Sequence, residues 1–160
     1  LAQAFGMTTI AYDPYITKES CTELGTEQVA DLDELIRRSD YITVHTPITP
    51  ETRGMISFDQ FKKMKDGVIV LNMARGGMLD EDAAYEALRS GKVRGIGVDV
   101  MASELAGGTM KGESTVNSPL FQFDNFIVSP HIGGGGTIDG LDILGDCVIG
   151  HICDIFGLTR

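Results

Sequence analysis

The chain has 160 residues, 42% of them hydrophobic, which is ample for one domain with a real core and excludes a disordered polymer. A formal net charge of −10, carried by scattered rather than clustered acidic residues, excludes nucleic acid and anionic membrane surfaces as natural partners. The cysteines Cys21, Cys147 and Cys153 have neither disulfide-framework nor metal-site spacing, and no apolar run approaches the roughly 20 residues of a membrane span, so a cytoplasmic protein without a structural metal is expected.

In chain order, Leu1 to Phe5 reads as the tail of a helix ended by Gly6, as though the sequence were cut from a longer polypeptide. Thr8 to Tyr12 is a short β-rich run stopped by Asp13-Pro14, and Thr26 to Val29 is a second, weaker one. Asp31 and Glu34 form a capping box opening a helix that carries Leu32, Leu35 and Ile36. Tyr41 to Val44 is the next strand, halted by Pro47 and Pro50. Ser57 with Gln60 opens a helix bearing Phe58, Phe61 and Met64. Val68 to Leu71 is an unbroken apolar run, as in a strand buried on both faces. Asp80 caps a helix holding Ala83, Ala84, Ala87 and Leu88 and closed by Gly91. Arg94 to Val98 and Phe126 to Ser129 are the last strands, and Ile138 to about Phe156 is a final amphipathic helix that either packs at a dimer interface or completes the core. Residues 105–118 are the most loop-like stretch.

Such alternation predicts βαβ units, a mostly parallel sheet and helices on both faces. Open α/β sheets bind ligands beyond the carboxyl ends of their strands. That rule puts Asp13, His45 to Pro47, Arg75, Asp99 to Glu104 and His131 on one edge, and neighbouring strands about 4.8 Å apart keep the last three ends within roughly 10–15 Å. The residue types then suggest a chemistry. Arg75 is always charged and can grip a carboxylate through a bidentate fork. His131 carries an imidazole, a side chain suited to giving a proton to a carbonyl oxygen or taking it back. A carboxylate beside it, Glu104, favours the imidazolium and orients the ring. His45 and His151 are expected to have no acid–base role.

Four motifs occur in order: His45-Thr46-Pro47-Ile48-Thr49-Pro50-Glu51-Thr52-Arg53-Gly54, Asn72-Met73-Ala74-Arg75-Gly76, Asp99-Val100-x-x-x-Glu104 and Pro130-His131-Ile132-Gly133-Gly134. With them the chain resembles, over nearly its whole length, the NAD-binding domain of the D-isomer-specific 2-hydroxyacid dehydrogenases, the family of D-3-phosphoglycerate dehydrogenase. The resemblance implies a Rossmann-type doubly wound parallel sheet over residues 1–160 and an enzyme that interconverts a D-2-hydroxy acid and its 2-keto acid. It implies Arg75, Glu104 and His131 as catalytic residues. Cofactor contacts fall on Asp13, Thr46, Pro47, Thr52, Met73, Ala74, Arg75, Asp99 and His131 to Gly134, with Gly133 and Gly134 among them. Asp13, after the second strand of the usual order, is placed to bond the adenosine ribose hydroxyls, so the implied cofactor is NAD rather than NADP.

Three departures from the family pattern stand out. Leu105 follows Glu104 where the family has proline, and a Gly-rich insertion follows. Four glycines, Gly133 to Gly136, precede Thr137, one more than usual. No GxGxxG phosphate loop precedes Asp13, and the strand it follows, central in the Rossmann order, is absent with it. An interior gap and unpaired backbone are therefore expected between the second and fourth strands of that order. The substrate domain is expected outside this sequence, and residues 1–160 alone are expected to bind NAD poorly and turn over no substrate. A small 2-hydroxy or 2-keto acid and a second copy of the full-length protein are the implied partners. A formate or phosphite dehydrogenase relative and an NAD-sensing corepressor of the same fold are the alternatives.

Overall fold

The computed structural model describes residues 1–102 and 118–133. The predicted final helix, Glu104, residues 105–117, Gly134 to Thr137, Cys147, His151 and Cys153 lie outside them. Leu1 to Phe5 forms a 3-10 turn over Ala2–Phe5 rather than an α-helix, ended as expected by Gly6 at φ 77. The first strand, β1, is short, Ile10–Ala11, and the first helix, α1 (Lys18–Glu23), was not foreseen. Thr17 caps α1 by accepting from the Ser20 amide at 3.3 Å. Only Cys21 is buried on α1, so the apolar period that betrays a helix is missing. β2 (Glu27–Gln28) pairs parallel with β1.

The rest follows the sequence more closely. Asp31 accepts from the Glu34 amide at 2.7 Å and opens α2 (Leu32–Arg38); Glu34 returns its carboxylate to the amide of Ala30, one residue before the cap. β3 (Tyr41–Val44), α3 (Phe58–Lys63), β4 (Val68–Asn72), α4 (Glu81–Arg89), β5 (Val93–Val98) and β6 (Phe126–Val128) complete the order. Gln60 accepts from the Ser57 amide at α3, and Asp80 accepts from the Ala83 amide at α4. Gly91 closes α4 at φ 74.

β3, β4, β5 and β6 form one parallel sheet in that order. Its core face shows the row Ile42, Val70, Ile96, Phe126 in register. On it pack Ile36 of α2, Phe61 of α3, and Ala83, Ala84, Ala87 and Leu88 of α4, all buried. The opposite face carries Tyr41, Ile69 and Leu71, then Ile127 across the sheet, with Tyr41 and Ile127 exposed. β1 and β2 stand as a separate two-stranded sheet. Among the described residues β3 has one strand partner, β4. Arg38 reaches from α2 to Glu27 of β2 at 2.6 Å and to Glu34 at 2.8 Å, a solvent-exposed link between the two parts. Such exposed pairs are screened by solvent and add little to stability.

Candidate active site

The carboxyl ends of β4, β5 and β6 lie side by side because their register aligns Asn72, Val98 and Val128. Arg75, Met101 and His131 each follow that line by three residues. Each end is held by a polar residue that the apolar strand pattern does not account for.

At the end of β4 it is Asn72, 1% exposed. Its side-chain oxygen accepts from the Ala74 amide at 3.2 Å and its amide group donates to the Arg75 carbonyl at 3.0 Å. The turn over Met73, Ala74 and Arg75 is thereby fixed from beneath. Met73 and Arg75 face solvent, Ala74 is buried, and the guanidinium donates to the Ala74 carbonyl at 2.7 Å. Gly76 follows in close contact with Met101 and Ala102. At the end of β5, Val100 and Met101 are buried, and the Ala102 amide donates to the carboxylate of Glu81, the first residue of α4, at 2.8 Å. The segment leading to Glu104 is anchored as far as Ala102.

The end of β6 is held by Asp99, 4% exposed. One carboxylate oxygen accepts from the Ser129 hydroxyl at 2.6 Å and the Ile132 amide at 3.0 Å; the other accepts from the Gly133 amide at 2.9 Å. The Asp99 carbonyl accepts from the His131 amide at 3.0 Å. Burial pushes the Asp99 carboxyl up, but the Ser129 hydroxyl, the Gly133 and Ile132 amides and the nearby His131 outweigh it and hold the group below the ordinary carboxylate range. A carboxyl depressed in this way stabilises the fold above its unfolded pKa and loses that contribution only as pH falls through the lower folded value. His131 has φ 54, the left-handed conformation in the described chain at a non-glycine residue, and such outliers gather where a surrounding network over-determines the backbone.

The remaining predicted contacts lie along the same edge. Thr46 and Pro47 follow β3, with the Thr46 hydroxyl against the sulfurs of Met78 and Met55 at 3.4 and 3.7 Å. Thr52 turns inward: its hydroxyl donates to the Pro47 carbonyl at 2.8 Å and accepts from the Thr49 amide at 2.8 Å, so it shapes the loop. His45 bonds Thr43 at 2.8 Å. Asp13, two residues past β1, accepts from the Tyr15 amide with one oxygen at 2.8 Å, the turn arrangement common before proline, and the second oxygen has no such bond to that turn. Sequence reading gave no role to Asn72, Glu81 or Ser129. Asn72 had a visible signal, a polar residue closing an apolar strand.

A parallel sheet with polar loops along its carboxyl edge is the architecture of a dinucleotide-binding α/β domain. Residues 1–133 match the family model of the D-isomer specific 2-hydroxyacid dehydrogenase NAD-binding domain, and the chain belongs to that family. It is 46% identical over 132 residues to D-3-phosphoglycerate dehydrogenase of Methanocaldococcus jannaschii, covering 82% of this chain and 24% of the relative. It is 45% identical over 132 residues to hydroxypyruvate reductase of Thermotoga maritima, covering 82% and 40%. Among solved structures, D-lactate dehydrogenase of Aquifex aeolicus complexed with NAD and lactic acid superposes with a TM-score of 0.77 at 36% identity, over 97% of this chain and 48% of that one. The chain thus spans 24% to 48% of the length of these relatives. No helix of the described residues is long and apolar enough to cross a membrane.

Proposed function

We propose that this domain serves an NAD-dependent dehydrogenase that interconverts a D-2-hydroxy acid and its 2-keto acid. The observation that carries the proposal is the shared register of β4, β5 and β6, which sets Arg75 and His131 equally far beyond Asn72 and Val128, residues aligned through Val98 of the intervening β5. Arg75 holds the substrate carboxylate and polarises the carbonyl. His131 donates the proton to the carbonyl oxygen in reduction and withdraws it in oxidation. Glu104, which lies outside the described residues, takes the orienting role from the family resemblance. The residues suit NAD: Asp13 keeps one carboxylate oxygen free of the turn it closes, and Pro47 after β3 and Met73 after β4 are exposed. Thr46, Ala74, Gly133 and Gly134 join them as cofactor contacts, with Thr52 shaping the loop they share. When bound, the nicotinamide supplies or accepts the hydride. The substrate domain is carried by another part of the protein, which acts as a cytoplasmic homodimer.

The test is NADH oxidation by the intact protein with a panel of 2-keto acids, including hydroxypyruvate, pyruvate and their phosphorylated relatives. Turnover on the order of 1–10³ s⁻¹ with at least one is expected. Binding of NADH without turnover of any of them would overturn the proposal and favour the sensor alternative. A second measurement addresses Asp13. Asp13→Ala is expected to weaken NAD by about 10–100-fold, since hydrogen bonds to a charged group contribute about 1.5–3 kcal/mol, with NADP affected far less. An unchanged ratio of NAD to NADP affinity would remove Asp13 from cofactor selection.

A further inference from the structure

We infer that Asn72 is the positioning residue for Arg75: its side-chain amide fixes the backbone before and after the arginine and so sets where the guanidinium stands. The consequence for turnover rests on the dehydrogenase reading, and the geometry rests on hydrogen bonds. β4 alternates, and Val68, Val70 and Asn72 share its buried positions. The last of that row is a primary amide, 1% exposed, where an apolar side chain would serve the core. Its oxygen accepts from the Ala74 amide at 3.2 Å, and its NH₂ group donates to the Arg75 carbonyl at 3.0 Å. The Ala74 N–H can only donate and the Arg75 carbonyl can only accept, so the two partners determine which way the side-chain amide is turned. The carbonyl between them, that of Ala74, is the one that the Arg75 guanidinium bonds at 2.7 Å. Asn72 thus takes two polar groups of the turn from beneath and leaves the third to the arginine's own side chain.

The base of this arrangement is rigid. Asn72 is aligned with Val44 of β3 and Val98 of β5, and its carbonyl accepts from the Asp99 amide at 3.0 Å. The Met73 amide then donates to the Val44 carbonyl at 3.2 Å. Beyond the turn, Gly76 lies against the main chain of Met101 and Ala102. The turn is held at its two ends by neighbouring strand ends, and across its middle by the Asn72 side chain.

Asn72→Ser puts a hydroxyl oxygen where Cγ stood, about 1.2 Å short of the amide oxygen, so both bonds across the turn are lost while the position stays polar. In the intact protein at saturating NADH, kcat/KM for keto-acid reduction is expected to fall about 100-fold, the scale of a roughly 1 Å misplacement of a reacting group. A double-mutant cycle separates positioning from general support of the fold. In an Arg75→Ala background, adding Asn72→Ser is expected to cost less than about threefold more, because no guanidinium is left to aim. Arg75→Lys takes the place of Arg75→Ala if the latter shows no turnover. Its ammonium has no planar fork to orient, so the added loss is expected to stay below about tenfold. Asn72→Asp carries the cycle if the serine variant does not fold, since it keeps the volume and the acceptor but withdraws the donor to the Arg75 carbonyl. Hydrogen exchange at the Ala74 amide gives a readout independent of turnover: protection in the wild type and its loss in Asn72→Ser. The full loss recurring in the Arg75→Ala background, unchanged kcat/KM in a folded Asn72 variant, or an unprotected Ala74 amide in the wild type would each overturn the inference. A wild type that protects this amide yet turns over no 2-keto acid would instead defeat the dehydrogenase reading and leave the geometry of the turn standing.

Discussion

His131→Ala in the intact protein is expected to cut keto-acid turnover by about 10²–10⁴-fold, the contribution typical of a general acid, while NADH affinity stays within a small factor of wild type. The split follows from how His131 is held. Its position is set by main-chain bonds, from its own amide to the Asp99 and Ser129 carbonyls at 3.0 and 2.9 Å. The neighbouring amides of Ile132 and Gly133 are held by the Asp99 carboxylate. None of these passes through the imidazole, so alanine removes the proton donor and leaves the turn. The left-handed backbone at this position is no more favourable for alanine than for histidine, so some loss of thermal stability accompanies the change and is measured alongside it. Steady-state kinetics with calorimetric NADH binding decide the matter. A fall of less than tenfold would mean that another group, or water, delivers the proton.

The residues that do chemistry were easier to read than those that hold them in place. Arg75 and His131 announce themselves as polar, reactive residues just beyond apolar runs, and a period-2 pattern fixes where such runs stop. The strands of the four-stranded sheet were legible to within a residue for the same reason, since each is buried against α2, α3 or α4. β1 and β2 shrank to two residues apiece because they pair only with one another among the described residues, and a ladder with a single partner ends where that partner ends. α1 was missed because one buried residue, Cys21, makes no periodic stripe. The clasp by Asp99 was illegible for a different reason. It joins residues 30 to 34 positions apart, and only the pairing of β5 with β6 brings them together. Sequence motifs mark both partners without saying that they bond. Glu81 is similar: it reads as an acidic residue suited to a helix start, and its hold on the Ala102 amide appears only once β5 is laid beside α4.

Gly76→Ala is expected to destabilise the intact protein by about 3 kcal/mol, the upper end of overpacking costs, and Gly97→Ala by about 1 kcal/mol or less. Both glycines are buried, and a Cβ on either would lie closer than 3.0 Å to a neighbour, so crowding alone does not rank them. What differs is the atom that must yield. At Gly97 it is Cδ2 of Leu71, 2.9 Å away, the end of a side chain that can change rotamer on the half-buried face of the sheet. At Gly76 it is the main-chain carbonyl oxygen of Met101, with the Met101 carbonyl carbon at 2.6 Å behind it. That backbone is fixed on both sides, by the buried Met101 side chain and by the bond from the Ala102 amide to Glu81. A methyl group at Gly76 therefore pushes the Arg75 turn and the segment leading to Glu104 apart. Added chain stiffness in the unfolded state returns only about 0.4–1 kcal/mol, and does so equally for both substitutions. The midpoint of thermal unfolding is expected to drop by several degrees more for Gly76→Ala than for Gly97→Ala. Keto-acid turnover per folded molecule falls with the first and holds with the second. Equal shifts in melting, or full turnover in a Gly76→Ala protein, would show that the two strand ends are not pressed together as the structure has them.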